Sequence, residues 1–193
     1  MVNETEAEAQ VVYPRKIRLD DGQEVAMRLM IPADASRMVS FARSLPEEDL
    51  LFLRMDITKL NVLAAWGRNI KEGRTITVLA EVADKVVGYG SLHVDEVTWQ
   101  RHLGEIRMQV TPPYRSRGLG RAVGAAIFAI ARRQGLHKVI AQMTTDQKGA
   151  IATVERMGFQ REAILKDFVI DREGTTRDLI VMSVDVGGGA SAS

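Results

Sequence analysis

The stretch from residue 104 to Gly135 constrains the fold of this chain more than any other part of the sequence. Gly104–Val110 predicts a strand, and Leu119–Gln134 predicts a helix with an apolar stripe that Gly135 ends. The turn between them, Arg115-Ser116-Arg117-Gly118-Leu119-Gly120, holds two glycines that let backbone amides approach a ligand. Free N–H groups at the start of a helix attract anions. The stretch therefore predicts a phosphate or pyrophosphate site at a strand-to-helix turn.

The spelling of this turn separates it from two common phosphate loops. A Walker A loop ends in Gly-Lys-Ser/Thr, whereas the helix here begins Gly120-Arg121-Ala122 and offers no hydroxyl for magnesium. A dinucleotide fingerprint has three glycines at a fixed spacing after an early strand. Gly118, Gly120 and Gly124 do not have that spacing, and they lie past the middle of the chain. Arg115, Arg117 and Arg121 supply donors suited to phosphate oxygens. The alternative to a ligand site is a glycine-rich turn with solvated arginines.

Turn signals and periodicity divide the rest of the chain into short elements. Asp20-Asp21-Gly22, Asp84-Lys85 and Arg172-Glu173-Gly174 each predict a hairpin turn. The predicted strands are Arg15–Leu19, Glu24–Ile31, Thr75–Ala83, Val86–Val94, Gly104–Val110, Lys138–Met143, Ala163–Asp171 and Arg177–Val184. The predicted helices cover Pro32–Leu45, Glu47–Leu53, Leu60–Ile70, Leu119–Gln134 and Lys148–Met157. The order β-β-α-α-α-β-β-β-α-β-α-β-β predicts a mixed sheet with helices on its faces.

Composition narrows the class of protein. The 193 residues are about one domain, and a net charge of +1 argues against bulk affinity for nucleic acid or membranes. Without cysteine there are no disulfides and no thiolate nucleophile or ligand, and the three histidines lack metal-ligand spacing. The acidic N-terminus is unlike a signal peptide. We expect a cytoplasmic protein with one domain over residues 13–186 and flexible tails over 1–12 and 187–193.

Two motifs together identify a family that the sequence resembles. The segment Glu105–Gly120, with Arg-x-x-Gly-x-Gly after a strand, is similar to the central motif of the GNAT superfamily of acyl-CoA-dependent N-acyltransferases. Ala150–Phe159, ending in Gly158-Phe159, resembles the motif that follows it. The resemblance implies an α/β fold: a mixed, mostly antiparallel central sheet with helices on both faces. An extra strand in an N-terminal β-hairpin is expected here.

The resemblance also implies a co-substrate, acetyl-CoA or another acyl-CoA, and no metal. Its pyrophosphate would bind the amides of Arg115–Gly120, and its pantetheine arm would lie against the strand that ends at Val110. Gln147 stands where the family often has an asparagine that contacts the cofactor. The expected cofactor-binding residues are Met108, Val110, Arg115, Ser116, Arg117, Gly118, Gly120, Arg121 and Gln147.

The implied reaction is direct attack of an amine on the thioester carbonyl. Glu105 is the candidate general base, because many family members have a carboxylate near this position of the strand. The alternative is that Glu105 pairs with Arg107. The direction of the Glu105 side chain stays open, because the family usually has a β-bulge in this strand. The tyrosine that often protonates the departing thiolate is replaced by Val154, which leaves Tyr89, Tyr114 or unassisted departure.

The acceptor is expected to be a primary amine, on a small molecule or a protein. Neither nucleic acid nor a membrane is an expected partner, and a homodimer is compatible with the resemblance. Three carboxylates of the last hairpin either approach the acceptor amine or are solvated: Asp167, Asp171 and Asp178. Four further candidates near the acceptor have a structural alternative: His93, His102, Trp66 and Trp99. His137 shows no metal-ligand spacing with the other two histidines. The alternative function is a non-catalytic acyl-CoA-binding module, which Val154 favours and Glu105 opposes.

Overall fold

The computed structural model describes residues 12–50, 53, 55–95, 99–171 and 173–187. Of the two predicted tails, only Val12 and Gly187 fall within these ranges, and the rest of both lies outside them. Glu47–Leu53 and the turn Arg172-Glu173-Gly174 are also described only in part.

The described residues form one eight-stranded sheet in the order β1-β2-β3-β4-β5-β6-β8-β7. Every pairing is antiparallel except that of β5 with β6. The strands are β1 (Arg15–Arg18), β2 (Glu24–Leu29), β3 (Thr75–Val82), β4 (Lys85–Val94), β5 (Leu103–Val110), β6 (Lys138–Thr144), β7 (Gln160–Ile170) and β8 (Thr176–Asp185). The predicted mixed, mostly antiparallel sheet, including the added N-terminal hairpin, is confirmed.

Helices cover both faces of this sheet. They are α1 (Ala35–Arg43), α2 (Glu47–Leu50), α3 (Leu60–Lys71), α4 (Leu119–Arg133) and α5 (Lys148–Arg156). One buried cluster joins α4 to the sheet through the predicted stripe of Leu119, Val123, Ile127, Ile130 and Ala131, and it joins α5 through Ile151 and Val154. A second cluster packs α1 and α3 on the opposite face, around Trp66 and Tyr89. The two faces therefore have separate cores.

The parallel pair of strands separates soon after it begins. β5 pairs with β6 only from Leu103, opposite Lys138, to Glu105, opposite Ile140. Beyond Glu105, β5 follows β4 to Val110, whereas β6 follows β8. From residue 106 onward, one edge of β5 has no paired strand among the described residues. This gap runs about 17 Å along β5, at about 3.3 Å per residue.

Two local expectations differ from the structure. The register between β4 and β5 is continuous from Gly88–Val110 to Val94–Gly104, so the bulge expected in β5 is absent from these described strands. A register shift lies instead between β3 and β4, at Ala80/Glu81. The helix expected over Pro32–Leu45 begins as a 3-10 turn at Pro32–Asp34. Proline lacks an N–H, which restricts it to the first turn of a helix.

Candidate active site

The turn before α4 presents backbone rather than side chains. Gly118 precedes the helix with a left-handed φ of +86°. A methyl group at Gly118 would lie 2.9 Å from a carboxylate oxygen of Asp20, so both the backbone conformation and this neighbouring side chain favour glycine there. Among the described residues, no side chain caps this helix terminus. The first N–H groups of α4 therefore remain available for an anion.

The arginines of the turn are held by carboxylates that lie far away in the sequence. Arg121 bonds Asp20 at 2.9 Å, and the guanidinium of Arg117 pairs with Asp21. Both aspartates belong to the turn between β1 and β2. Arg115 pairs with Asp49 near the end of α2. Since each arginine keeps further N–H donors, the site is a cationic rim whose charge is partly neutralised.

Two further contacts fix the position of this rim. Arg115 Nε donates to the carbonyl of Val110 at 2.9 Å, so this carbonyl already has a protein partner. Arg117 donates to the carbonyl of Pro113 at 2.9 Å and lies over the ring of Tyr114, 5.0 Å from its centroid. Tyr114 thus supports the turn.

Small residues bring α4 close to the centre of the sheet. A Cβ at Gly90 of β4 would lie 2.4 Å from a methyl of Val123, and one at Gly124 would lie 2.1 Å from the methyl of Met157. Met108 also reaches Gly124, at 3.7 Å from the same built Cβ. The start of α4 is therefore held beside the open edge of β5.

Glu105 lies where β5 and β6 diverge, on the sheet face that carries α1 and α3. Its neighbour Ile106 is buried in the core on the α4 side, and the regular register keeps Glu105 and Arg107 together on the other face. Both oxygens of Glu105 accept from Arg107, at 3.1 Å from Nε and 3.3 Å from Nη2. The side chain of Glu105 is 17% exposed. The sequence alternative of a Glu105–Arg107 pair is present.

A small pocket opens beside this pair on the same face. It encloses about 20 Å³, room for about one water molecule. Apolar, aromatic and basic side chains line it: Leu53, Met55, Ile57, Trp66, Tyr89, His93 and Arg107. The acceptor side of the site is thus almost filled in this conformation. Arg107 was not expected as a lining residue, and its alternation with Glu105 is the signal that could have indicated it.

His93, opposite Glu105 on β4, belongs to a chain of buried hydroxyls. Its Nδ1 lies 3.1 Å from Thr75 Oγ1, and its Nε2 lies 3.0 Å from Ser91 Oγ. Ser91 Oγ is 3.0 Å from Thr77 Oγ1, which accepts from Trp66 Nε1 at 3.1 Å. Both ring nitrogens of His93 therefore have hydroxyl partners in the sheet. The rings of His93 and Trp66 line the pocket, while their nitrogen atoms bond hydroxyl groups of the sheet.

The residues expected near the thiolate have structural partners. Val154 is 5% exposed and belongs to the core on the α4 side. Burial raises the pKa of the Tyr89 phenol well above its ordinary value, which makes Tyr89 a weaker proton donor. Gln147, just before α5, accepts from the backbone N–H of Thr144 at 3.0 Å through Oε1. The amide group of Gln147 keeps its own donors for another partner.

The carboxylates of the last hairpin are occupied within it. Asp178 accepts from the N–H of Asp167, and Asp167 accepts from Thr176. Asp171 accepts from the backbone N–H of Thr175, which with the guanidinium of Arg177 holds the pKa of Asp171 below its ordinary value. The three aspartates thus bond groups of their own hairpin, which neither sequence interpretation anticipated.

A wider surface depression of about 670 Å³ lies at the other end of β5. Its lining includes Trp99, which is 76% exposed, and the rings of His102 and His137, 6.0 Å apart. His102 precedes β5 and the arginine turn follows it, so about 25 Å of strand separates them. Trp99 and His102 therefore lie away from the phosphate turn. Within the described ranges, no group of three metal-ligating side chains occurs, and no helix is long and apolar enough to cross a membrane.

Sequence comparison gives this geometry a family. The profile of the acetyltransferase (GNAT) family matches residues 41–159, more than half of the chain. The chain belongs to the GNAT family. The resemblance to this family that was expected from the sequence is confirmed.

Individual relatives match a shorter part of this GNAT chain. Human N-acetyltransferase 8 is 34% identical over 85 residues, and mouse probable N-acetyltransferase family 8 member 5 is 33% identical over the same length. Each match covers 43% of this chain and 37% of the relative. The chain therefore matches little more than a third of the length of these curated relatives.

Solved structures extend the fold likeness over almost the whole GNAT chain. The GNAT domain of S. lividans PAT gives a TM-score of 0.76 at 16% identity, covering 91% of this chain and 98% of that one. The putative acetyltransferase yncA from Salmonella typhimurium, solved with acetyl-CoA, gives 0.75 at 20% identity, with coverages of 89% and 99%. Phosphinothricin acetyltransferase from Sinorhizobium meliloti, in complex with acetyl-CoA, gives a TM-score of 0.74 at 19% identity. That match covers 88% of this chain and 92% of the other. At these identities the likeness shows the fold.

Proposed function

We propose that the protein transfers an acetyl group from acetyl-CoA to a primary amine. The observation that carries this proposal is the gap between β5 and β6, which begins at Glu105 and leads to the uncapped start of α4. A long, narrow donor with phosphates at one end and a thioester at the other fits such a gap. The acceptor face, with Glu105 and Arg107, meets the gap where the two strands diverge.

The cofactor half of the proposal assigns each end of acetyl-CoA to a part of the chain. The pyrophosphate would bind amides of residues 115–120 and the rim of Arg115, Arg117 and Arg121, displacing part of their pairing with carboxylates. The pantetheine amides would bond the open edge of β5 beside Met108 and Val110. The carboxamide donors of Gln147 would face the same arm.

The chemical half assigns the proton of the amine to Glu105. The amine nitrogen attacks the thioester carbonyl, a C–N bond forms and the C–S bond breaks. The proton released by the amine passes to a Glu105 oxygen, directly or through the water-sized space beside it. The thiolate can leave without a protein acid, because a thiol with a pKa near 8.5 is a tolerable leaving group.

The second candidate function is a non-catalytic acyl-CoA-binding module, and buried Val154 is the observation that favours it. Acetyl-CoA binding by calorimetry, together with thiol release over a panel of amines, separates the two. If the protein is an enzyme, one thiol is released for each amine that is acetylated. Glu105→Gln then lowers kcat by about 10²–10⁴-fold while acetyl-CoA still binds. Binding without turnover of any amine, unchanged by Glu105→Gln, would favour the module. Cytoplasmic location and a homodimer remain expectations of the same account.

A further inference from the structure

The guanidinium of Arg107 has more donors than the protein uses. It carries five N–H groups, and only Nε and Nη2 bond an acceptor, Glu105, among the described residues. The side chain of Arg107 is 27% exposed, and it lines the acceptor pocket. A half-buried guanidinium with spare donors that face a pocket is suited to an oxyanion of a ligand.

The two charges of the pair are in contact, which limits the shape of a ligand that meets both. Glu105 and Arg107 lie on one face of β5, with 3.1–3.3 Å between their bonded atoms. An acceptor that places its amine on Glu105 and an oxyanion on Arg107 must hold its own two charges equally close. An α-amino acid does so, because one carbon atom separates its amine from its carboxylate.

The remaining walls of the pocket favour an apolar side chain on this acceptor. Met55, Ile57, Trp66 and Tyr89 contribute methyl groups, a thioether and two aromatic rings. The polar atoms of Trp66 are bonded inward, so the indole offers the pocket its apolar surface. The present space of about 20 Å³ requires these walls to yield, and methionine repacks easily.

We propose that the acceptor is a free α-amino acid with an apolar side chain, whose carboxylate binds Arg107 while its amine binds Glu105. This inference rests on the proposed acetyl transfer. Four alternating charges would then form a closed set: Glu105, the ammonium, the carboxylate and Arg107. A polyamine would place a second cation near Arg107, a lysine side chain would offer Arg107 only methylene groups, and a peptide N-terminus would offer it a neutral amide. The ammonium loses two protons: one passes through Glu105 to solvent before the neutral amine attacks, and the second is taken by Glu105 as the C–S bond breaks. The products are the N-acetyl amino acid and coenzyme A as the thiolate.

A matched series of acceptors tests the role of the carboxylate. L-phenylalanine, L-phenylalaninamide and phenethylamine differ only at the group that would meet Arg107, and thiol release is measured with each at saturating acetyl-CoA. We expect kcat/KM for the amino acid to exceed that for the amide and the amine by about 10- to 100-fold, the loss expected for a charge-assisted hydrogen bond. The corresponding leucine series controls for the aromatic ring.

Variants of Arg107 assign the preference to this residue. In Arg107→Gln the ratio of kcat/KM for the amino acid to kcat/KM for the amide falls to about one, mainly because KM for the amino acid rises. Arg107→Lys keeps a preference for the amino acid. A general loss of activity or of folded protein lowers both kcat/KM values equally and leaves their ratio unchanged. Arg107→Lys is a second control for such a loss. An unchanged ratio in Arg107→Gln, or amide and amine turned over as fast as the acid by the wild type, overturns the inference and leaves acetyl transfer standing. If wild-type protein that binds acetyl-CoA releases no thiol with these acceptors but does so with other amines of a wider panel, only the inference is overturned. If it releases no thiol with any amine of that panel, the proposed acetyl transfer is overturned as well.

Discussion

Replacing Gly118 with alanine tests whether the turn at the start of α4 binds the phosphates of coenzyme A. The left-handed φ of +86° costs an L-residue about 1–2 kcal/mol, and the new methyl would meet the carboxylate of Asp20 at 2.9 Å. Because Asp20 is exposed it can move away, so the variant should fold. The methyl would then occupy the space that a phosphate oxygen needs, and losing one charge-assisted hydrogen bond weakens binding by about 10- to 100-fold.

Gly135, at the other end of the same helix, provides the matched control. Its φ is +70°, and a methyl there would meet nothing within 4 Å. Gly135→Ala and Gly118→Ala should therefore lower the melting temperature by a similar amount, about 2–8 °C. Only Gly118→Ala should weaken coenzyme A in isothermal titration calorimetry. Equal affinities for the two variants, or wild-type affinity in Gly118→Ala, would refute a phosphate site at this turn.

Three further predictions follow from contacts around the site. A hydrogen bond from Arg28 holds the pKa of Asp34 below its ordinary value, so this carboxylate stabilises the fold above about pH 4 and loses that contribution as the pH falls further. Asp34→Asn should therefore lower the unfolding free energy by about 1.5–3 kcal/mol at pH 7. Chemical denaturation should show a smaller difference between the variant and the wild type at pH 3. Gly90→Val should destabilise by at least about 1–3 kcal/mol through overpacking against α4, and a melting temperature equal to that of the wild type would contradict the close approach. Replacing Asp20 and Asp21 together by asparagine should tighten coenzyme A about two- to fivefold at low salt, because exposed carboxylates no longer compete for the arginines; calorimetry at low and at 0.5 M salt should show the gain shrinking, and weaker binding would mean that the two aspartates position the arginines instead.

The sequence predicts the order of elements well because each element is local. Apolar spacing defines α4, and Gly135 marks its end. Asp21-Gly22 marks the first hairpin turn. The turn between β3 and β4 shows the limit of this reasoning. It was expected at Asp84-Lys85, whereas Ala83 and Asp84 adopt the positive φ values that connect the strands. A shift of one residue is smaller than local composition can resolve.

The partners of the site residues could not be predicted, because they come from distant parts of the chain. Asp20 is 101 residues from Arg121, and Asp49 is 66 residues from Arg115. No periodicity relates such pairs, and only the tertiary fold brings them together. The direction of Glu105 was left open for a different reason, since the bulge expected from the family would have reversed the alternation along β5. The continuous register with β4 decides it.

The central claim, that this GNAT chain transfers an acetyl group to an amine, is tested most directly by a mass balance. Acetyl-CoA labelled in its acetyl group is incubated with the protein and an amine acceptor, and free thiol and labelled N-acetyl product are quantified over one time course. The account predicts equal amounts of thiol and N-acetyl product, both falling sharply in Glu105→Gln. Bound acetyl-CoA with neither product, or thiol release without an acetylated amine, would contradict it.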